Sequence, residues 1–154
     1  MAGRLTEEKI TKLILKWLET NDWKIICYDF PQSGTGISLH PNAECRELTK
    51  NKGAIIPDII AVKEKTAVFF ENKDRFFLND FEKIYRLKME NNYSEAVSNL
   101  LKSFEPEHIY YGIGLPHQNR YLKRIEENLH LADFVILLDE EFQITVLFET
   151  AQIF

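Results

Sequence analysis

Residues 55–73 read IIPDIIAVKEKTAVFFENK, and this stretch decides the fold. Ile55–Val62 and Ala67–Phe70 are two apolar runs rich in β-branched and aromatic residues, and the polar Lys63–Thr66 separates them. That pattern predicts a β-hairpin. The runs are nearly continuous rather than alternating, so both faces of the hairpin should be covered. A turn centred on Glu64-Lys65 sets opposite one another the residues whose numbers sum to 129, so Val62 faces Ala67 and Asp58 faces Glu71. Directly opposed residues point to one face, with Cβ atoms about 5 Å apart. Lys73 follows Glu71 onto that face by the two-residue period of a strand.

Working outward toward the N-terminus, residues 5–20 read as a helix. Thr6 is a suitable N-cap, Glu7 and Glu8 complement the positive end of the dipole, and Ile10, Leu13, Ile14, Trp17 and Leu18 form the apolar stripe. Asn21-Asp22 ends it, and residues 23–30 (WKIICYDF) are rich in strand formers. The polar residues 31–53 then include Gly34, Gly36, Pro41 and Gly53. A loop of that length in a compact domain is usually functional or mobile.

Toward the C-terminus, Asn79 and Glu82 resemble a capping box ahead of Ile84, Leu87 and Lys88. A second helical piece runs over 94–104 and stops at Pro106. A strand is expected over 108–115, a helix over 118–131 and a buried strand over 134–138. Phe142, Ile144, Val146 and Phe148 alternate as a final strand. The order α-β-β-β-α-α-β-α-β-β predicts an α/β or α+β sheet domain with helices packed on it.

The chain has 154 residues, room for one domain over 1–154. Its apolar content of 45%, with 11 Phe, excludes disorder as the main state. No apolar run approaches the roughly 18 residues of a membrane span. Cys27 and Cys45 cannot make a disulfide scaffold or a zinc motif, and the four histidines lack ligand spacing. The start MAGRLTEEK has no apolar signal region, so a cytoplasmic protein is expected. A net charge of −5 argues against a general electrostatic binder of nucleic acid. It leaves room for carboxylates gathered around a cation.

Asp58, Glu71 and Lys73 supply that possibility. Two carboxylates forced together raise each other's pKa unless a cation lies between them. Mg²⁺ takes hard oxygen ligands and typically needs only one or two carboxylates plus substrate phosphate. A bound ion activates water and stabilises charge on a phosphoryl oxygen, and a neighbouring ammonium can assist. The grouping suits phosphodiester hydrolysis.

Pro57-Asp58 followed by Glu71-Asn72-Lys73 resembles the signature of the PD-(D/E)XK nuclease superfamily. Its core order, α-β-β-β-α-β, is similar to the order read over residues 5–115, with 116–154 as an extra helix and strands. The resemblance implies a restriction-endonuclease-like fold, a central mixed sheet flanked by helices. It implies Mg²⁺, or Mn²⁺ in its place, held by Asp58, Glu71 and the main-chain carbonyl of Asn72, with Lys73 as the catalytic lysine. Asn72 stands where the family often has an apolar residue. Gly3, Glu7 and Trp23-Lys-Ile-Ile resemble the start of archaeal Holliday junction resolvases in the same superfamily, which implies that Glu7 reaches the metal site. Glu7 lies only about 20° from Ile14 on the helical wheel, so it points along the buried stripe. Gln32-Ser33-Gly34-Thr35-Gly36 resembles a Ser-Gly loop that the resolvases have in a similar place, which implies Ser33 beside the scissile phosphate; on general loop grounds the stretch reads first as a flexible turn.

The implied activity is a metal-dependent DNA endonuclease leaving 5′-phosphate and 3′-hydroxyl ends. The loop 31–54 and the elements after residue 115 exceed a minimal resolvase and favour a restriction-endonuclease-like enzyme. A structure-specific nuclease for junctions or repair is the alternative, and a non-catalytic nuclease-fold module that binds nucleic acid or protein is another. A chain this small reaches both strands of a duplex most simply as a twofold homodimer, and a partner subunit is a further possibility. Candidate DNA contacts are Arg46, Lys50 and Lys52 in the long loop, and Arg75, Lys83 and Arg86 after the hairpin. Arg120, Lys123 and Arg124 form one face of the later helix with His117.

Overall fold

A computed structural model describes residues 5–29, 56–89 and 94–154. Helix α1 spans Glu7–Thr20 and strand β1 Lys24–Tyr28. The hairpin strands are β2 (Ile59–Lys63) and β3 (Thr66–Asn72). Helices α2 (Leu78–Met89) and α3 (Ser94–Leu101) precede β4 (His108–Pro116). Helix α4 (Asn119–Glu127) and a 3₁₀ turn at Leu129–Leu131 lead to β5 (Phe134–Leu138) and β6 (Ile144–Glu149). This is an α/β fold, and its elements follow the order read from the sequence.

The six strands form one mixed sheet in the spatial order β1-β2-β3-β4-β5-β6. β1–β2, β2–β3 and β5–β6 are antiparallel; β3–β4 and β4–β5 are parallel. Residues after position 115 therefore continue the sheet, with β5 an interior strand. In the hairpin Ile59 faces Phe70 and Val62 faces Ala67, the register expected from a turn at Glu64-Lys65. Glu64 takes a left-handed backbone there, at φ 54°, as a tight two-residue hairpin requires of one turn residue.

Alternation in the hairpin divides the core. Ala67 and Phe69 pack with Phe81, Ile84 and Leu87 of α2. Val68 and Phe70 pack with Ile10, Ile14 and Leu18 of α1. Every residue from Ala67 to Asn72 is buried. The sheet is thus covered on both sides, which is why the strands lack polar alternation. Phe154 closes the α1 side against Trp17, Trp23 and Phe134.

Thr6 caps α1, accepting from the Lys9 N–H at 3.1 Å. Several local expectations differ, and the helix expected over 94–104 ends at Leu101. Helix α2 begins at Leu78, so Asn79 lies inside its first turn and does not cap it. The expected helix 118–131 ends at Glu127, because Asn128 leaves helical geometry and a 3₁₀ turn follows. Phe142 is exposed and takes φ 64° in the turn before β6, so it is not a strand residue. Among the described residues no helix is long and apolar enough to cross a membrane.

Candidate active site

The hairpin register brings Asp58 and Glu71 together where β2 begins and β3 ends. The regular ladder stops at Ile59–Phe70. Asp58 then departs from simple opposition: its N–H donates to the Phe70 carbonyl at 2.9 Å, while its own carbonyl accepts from the Asp29 N–H at 2.8 Å. Its carboxylate turns to β3 and accepts from the Asn72 N–H through Oδ2 at 2.7 Å. Asp58 is therefore held at three points, one by the residue after β1 and two by β3, rather than projecting freely.

Glu71 shares the α2 side of β3 with Phe69. It is 6% exposed, and its Oε2 accepts from Lys83 Nζ of α2 at 3.1 Å. Asn72 points to the other side, where it is fully buried and its amide donates to Thr11 Oγ1 of α1 at 3.2 Å. A polar pair between sheet and helix thus occupies the position where an apolar residue was expected. It packs against Gly114 of β4, where any Cβ would come within 2.5 Å of both Asn72 Oδ1 and Ile14 Cδ1.

Lys73 lies just past the end of β3. Its N–H donates to the Gly114 carbonyl at 3.0 Å, and its ammonium pairs with Glu7 Oε1 of α1 at 3.3 Å. Glu7 is half-buried at the first turn of its helix. The lysine crosses the end of the sheet, tied to α1 and within the field of Asp80 on α2.

The electrostatics are those of too few cations. Burial raises Asp58 most, the neighbouring Glu71 raises it further, and together they bring it from 3.8 to about 8. Burial also raises Glu71, against the pull of Lys83 and Lys73. Asp80 is raised by burial as well, and its Oδ2 is buried with no hydrogen-bond partner among the described residues. For Lys73, burial favours the neutral amine, but Asp80, Glu7 and Glu71 outweigh it and its pKa rises. It is an ammonium at neutral pH.

Fully ionised, the carboxylates of Glu7, Asp58, Glu71 and Asp80 face the ammonium groups of Lys73 and Lys83 and leave a surplus of two negative charges. That surplus, the all-oxygen donor set and the orphaned Asp80 oxygen fit a hard divalent cation. Asp58 and Glu71 are the side chains able to hold one. Among the described residues no three His, Cys, Asp or Glu side chains form a closed cage, and Mg²⁺ does not require one.

The remaining candidates are dispersed. Ser33, Arg46, Lys50 and Lys52 lie outside the described residues. Lys83, expected on a DNA-contacting face, turns inward because a buried carboxylate is within its reach. Arg75 is exposed beside Asp74 and over the Phe77 ring, and Arg86 is exposed on α2. Arg120, Lys123 and Arg124 are exposed on α4, with Arg120 stacked over Tyr121.

Sequence reasoning missed Asp80 and Thr11. Asp80 stands three residues before Lys83, the spacing that sets two side chains on one helix face. Thr11 follows Glu7 by four residues, which likewise placed it on the site's side of α1. No protein-family model and no curated protein matches this chain.

Proposed function

We propose that the protein is a divalent-metal-dependent DNA endonuclease with a restriction-endonuclease-like core, acting as a homodimer. One observation carries the reading: half-buried Asp58 and buried Glu71 are neighbours at one end of the hairpin, each pushed toward protonation, with Lys83 paired to Glu71 and Lys73 paired to Glu7 close by. Burying two acids side by side destabilises a fold, and it persists where the acids have chemistry to perform. The order of α1, the antiparallel β1–β2–β3, the helices and the parallel β4 supports the fold assignment.

Asp58 and Glu71 would hold Mg²⁺, with the Asn72 carbonyl as a further donor. The bound ion would supply a water of lowered pKa and neutralise charge on the phosphoryl group. Asp58 is fixed for this role by its bond from the Asn72 N–H, and its side chain needs little reordering. Lys73 is charged, so it serves as an electrostatic donor to the phosphate rather than as a base. Glu7 restrains that ammonium from the α1 side.

Plasmid and four-way-junction cleavage with Mg²⁺, Mn²⁺ or EDTA tests the proposal. Cleavage should require metal and fall at least about 100-fold in both Asp58→Ala and Lys73→Ala. Undiminished cleavage by Asp58→Ala would overturn it. The preferred substrate separates a duplex-cutting enzyme from a structure-specific one.

A further inference from the structure

Lys83 is the cation that all three acids of the α2 side share. Its ammonium is 3.1 Å from Glu71 Oε2, and its charge also acts on Asp58 and on Asp80. It is not a surface residue that happens to touch an acid: Glu71 is 6% exposed, so solvent screens the pair little. It does, however, occupy one oxygen of a carboxylate that a metal would use. A divalent ion held by the same carboxylate, about 2.1 Å from its oxygen, sets two further positive charges within a few ångströms of the ammonium and repels it. The lysine has somewhere to go. Asp80 lies three residues earlier on α2, on the same face, and its Oδ2 is buried without a partner. The four-carbon stem of lysine spans such a move without a change in the helix.

Resting on the metal-dependent reading of Asp58 and Glu71, we propose that Lys83 is the resident counter-cation of the site, holding Glu71 until a divalent ion displaces it onto Asp80. Without metal, Lys83 keeps a buried carboxylate paired and the hairpin end intact. With metal, its charge moves from Glu71 to Asp80 and stays at the edge of the site. The lysine therefore opposes metal binding, and Asp80 relieves that opposition.

Mn²⁺ binding to the intact chain, followed by the loss of the free-ion electron paramagnetic resonance signal, tests this without reference to cleavage. Lys83→Gln removes the competing charge and should tighten Mn²⁺ binding about tenfold. Lys83→Arg keeps the charge and should bind no more tightly than the wild type. Asp80→Asn removes the landing place and should weaken binding in the wild-type background by more than it does in Lys83→Gln, because the two residues act as a unit. Equal affinity of wild type and Lys83→Gln would overturn the role of Lys83 and leave the metal reading standing. Tightening in Lys83→Arg as large as in Lys83→Gln would also overturn it, since charge would then not be the cause. Absence of Mn²⁺ binding in every variant and in the wild type would overturn the metal reading and this proposal together. Circular dichroism melting of each variant checks that the affinities belong to folded protein.

Discussion

Lys83 and Lys88 leave the same helix, and each meets a buried acid on the α2 side of the sheet. Around Lys88 the account closes. Its ammonium is 2.8 Å from Asp133 Oδ1, while Asp133 Oδ2 accepts from the Tyr111 N–H at 3.0 Å. The Asp133 backbone adds bonds to Tyr111 and Thr150, so one residue joins β4, β5 and the segment after β6. One acid has one cation, and both oxygens are satisfied. Around Lys83 the account stays open: Asp58, Glu71 and Asp80 compete for it, and one Asp80 oxygen has no partner. A buried carboxylate by itself therefore says little about function. What separates a structural acid from a functional candidate is whether the surrounding groups already neutralise and satisfy it.

That contrast can be broken first at its closed side. Asp133→Ala leaves the Lys88 ammonium and the Tyr111 N–H without their partner, and stability should fall by about 3 kcal/mol. Urea unfolding measures it, and a loss under about 1 kcal/mol would mean that the pair is ornamental rather than structural.

The floor of the open site gives the next effect. Gly114→Ala drives a Cβ against Asn72 Oδ1 and Ile14 Cδ1, which should cost about 2 kcal/mol through overpacking between β4 and α1. Because Gly114 also anchors the Lys73 N–H, the variant should lose cleavage as well as stability. Thermal melting beside the plasmid assay reads both, and a variant as stable as the wild type would show that the backing of Asn72 is loose.

The smallest effect has the opposite sign. Asp58→Asn should stabilise the metal-free protein by about 1 kcal/mol at pH 8.5, because it removes a buried charge facing another. The sign follows from the direction of the shift. Asp58 rises from 3.8 to about 8 on folding, so its protonated form favours the fold, and that contribution is lost as pH climbs from about 4 through 8. Near pH 5 wild-type Asp58 is already protonated and the two proteins should melt together. Urea midpoints at the two pH values give the comparison; a variant less stable than the wild type at pH 8.5 would count against a repulsive site.

Much of this was legible before any coordinates. The hairpin register follows from two apolar runs and a two-residue turn, and strands of period two leave little choice of partner once the turn is placed. Thr6 and the stripe from Ile10 to Leu18 likewise define α1 by local chemistry. The start of α2 was less legible, since Asn79 and Glu82 have the spacing of a capping box while packing of Phe81, Ile84 and Leu87 extends the helix back to Leu78. Lys83 looked like one more exposed cation. Only the docking of α2 on the sheet brings it to Glu71, at a separation in sequence that no local pattern reports.

Sequence alone thus set the hairpin and the register that places Ile59 opposite Phe70 and Val62 opposite Ala67, because turn geometry and side-chain alternation act over a few residues. The tertiary structure decided how the charges are shared. It turned Asp58 onto the Asn72 N–H, sent Lys73 across to Glu7 and Lys83 to Glu71, buried Asn72 against Thr11, and left Asp80 with an unpartnered oxygen. Those outcomes depend on desolvation and on distances between separate elements, and neither exists until the helices close over the sheet.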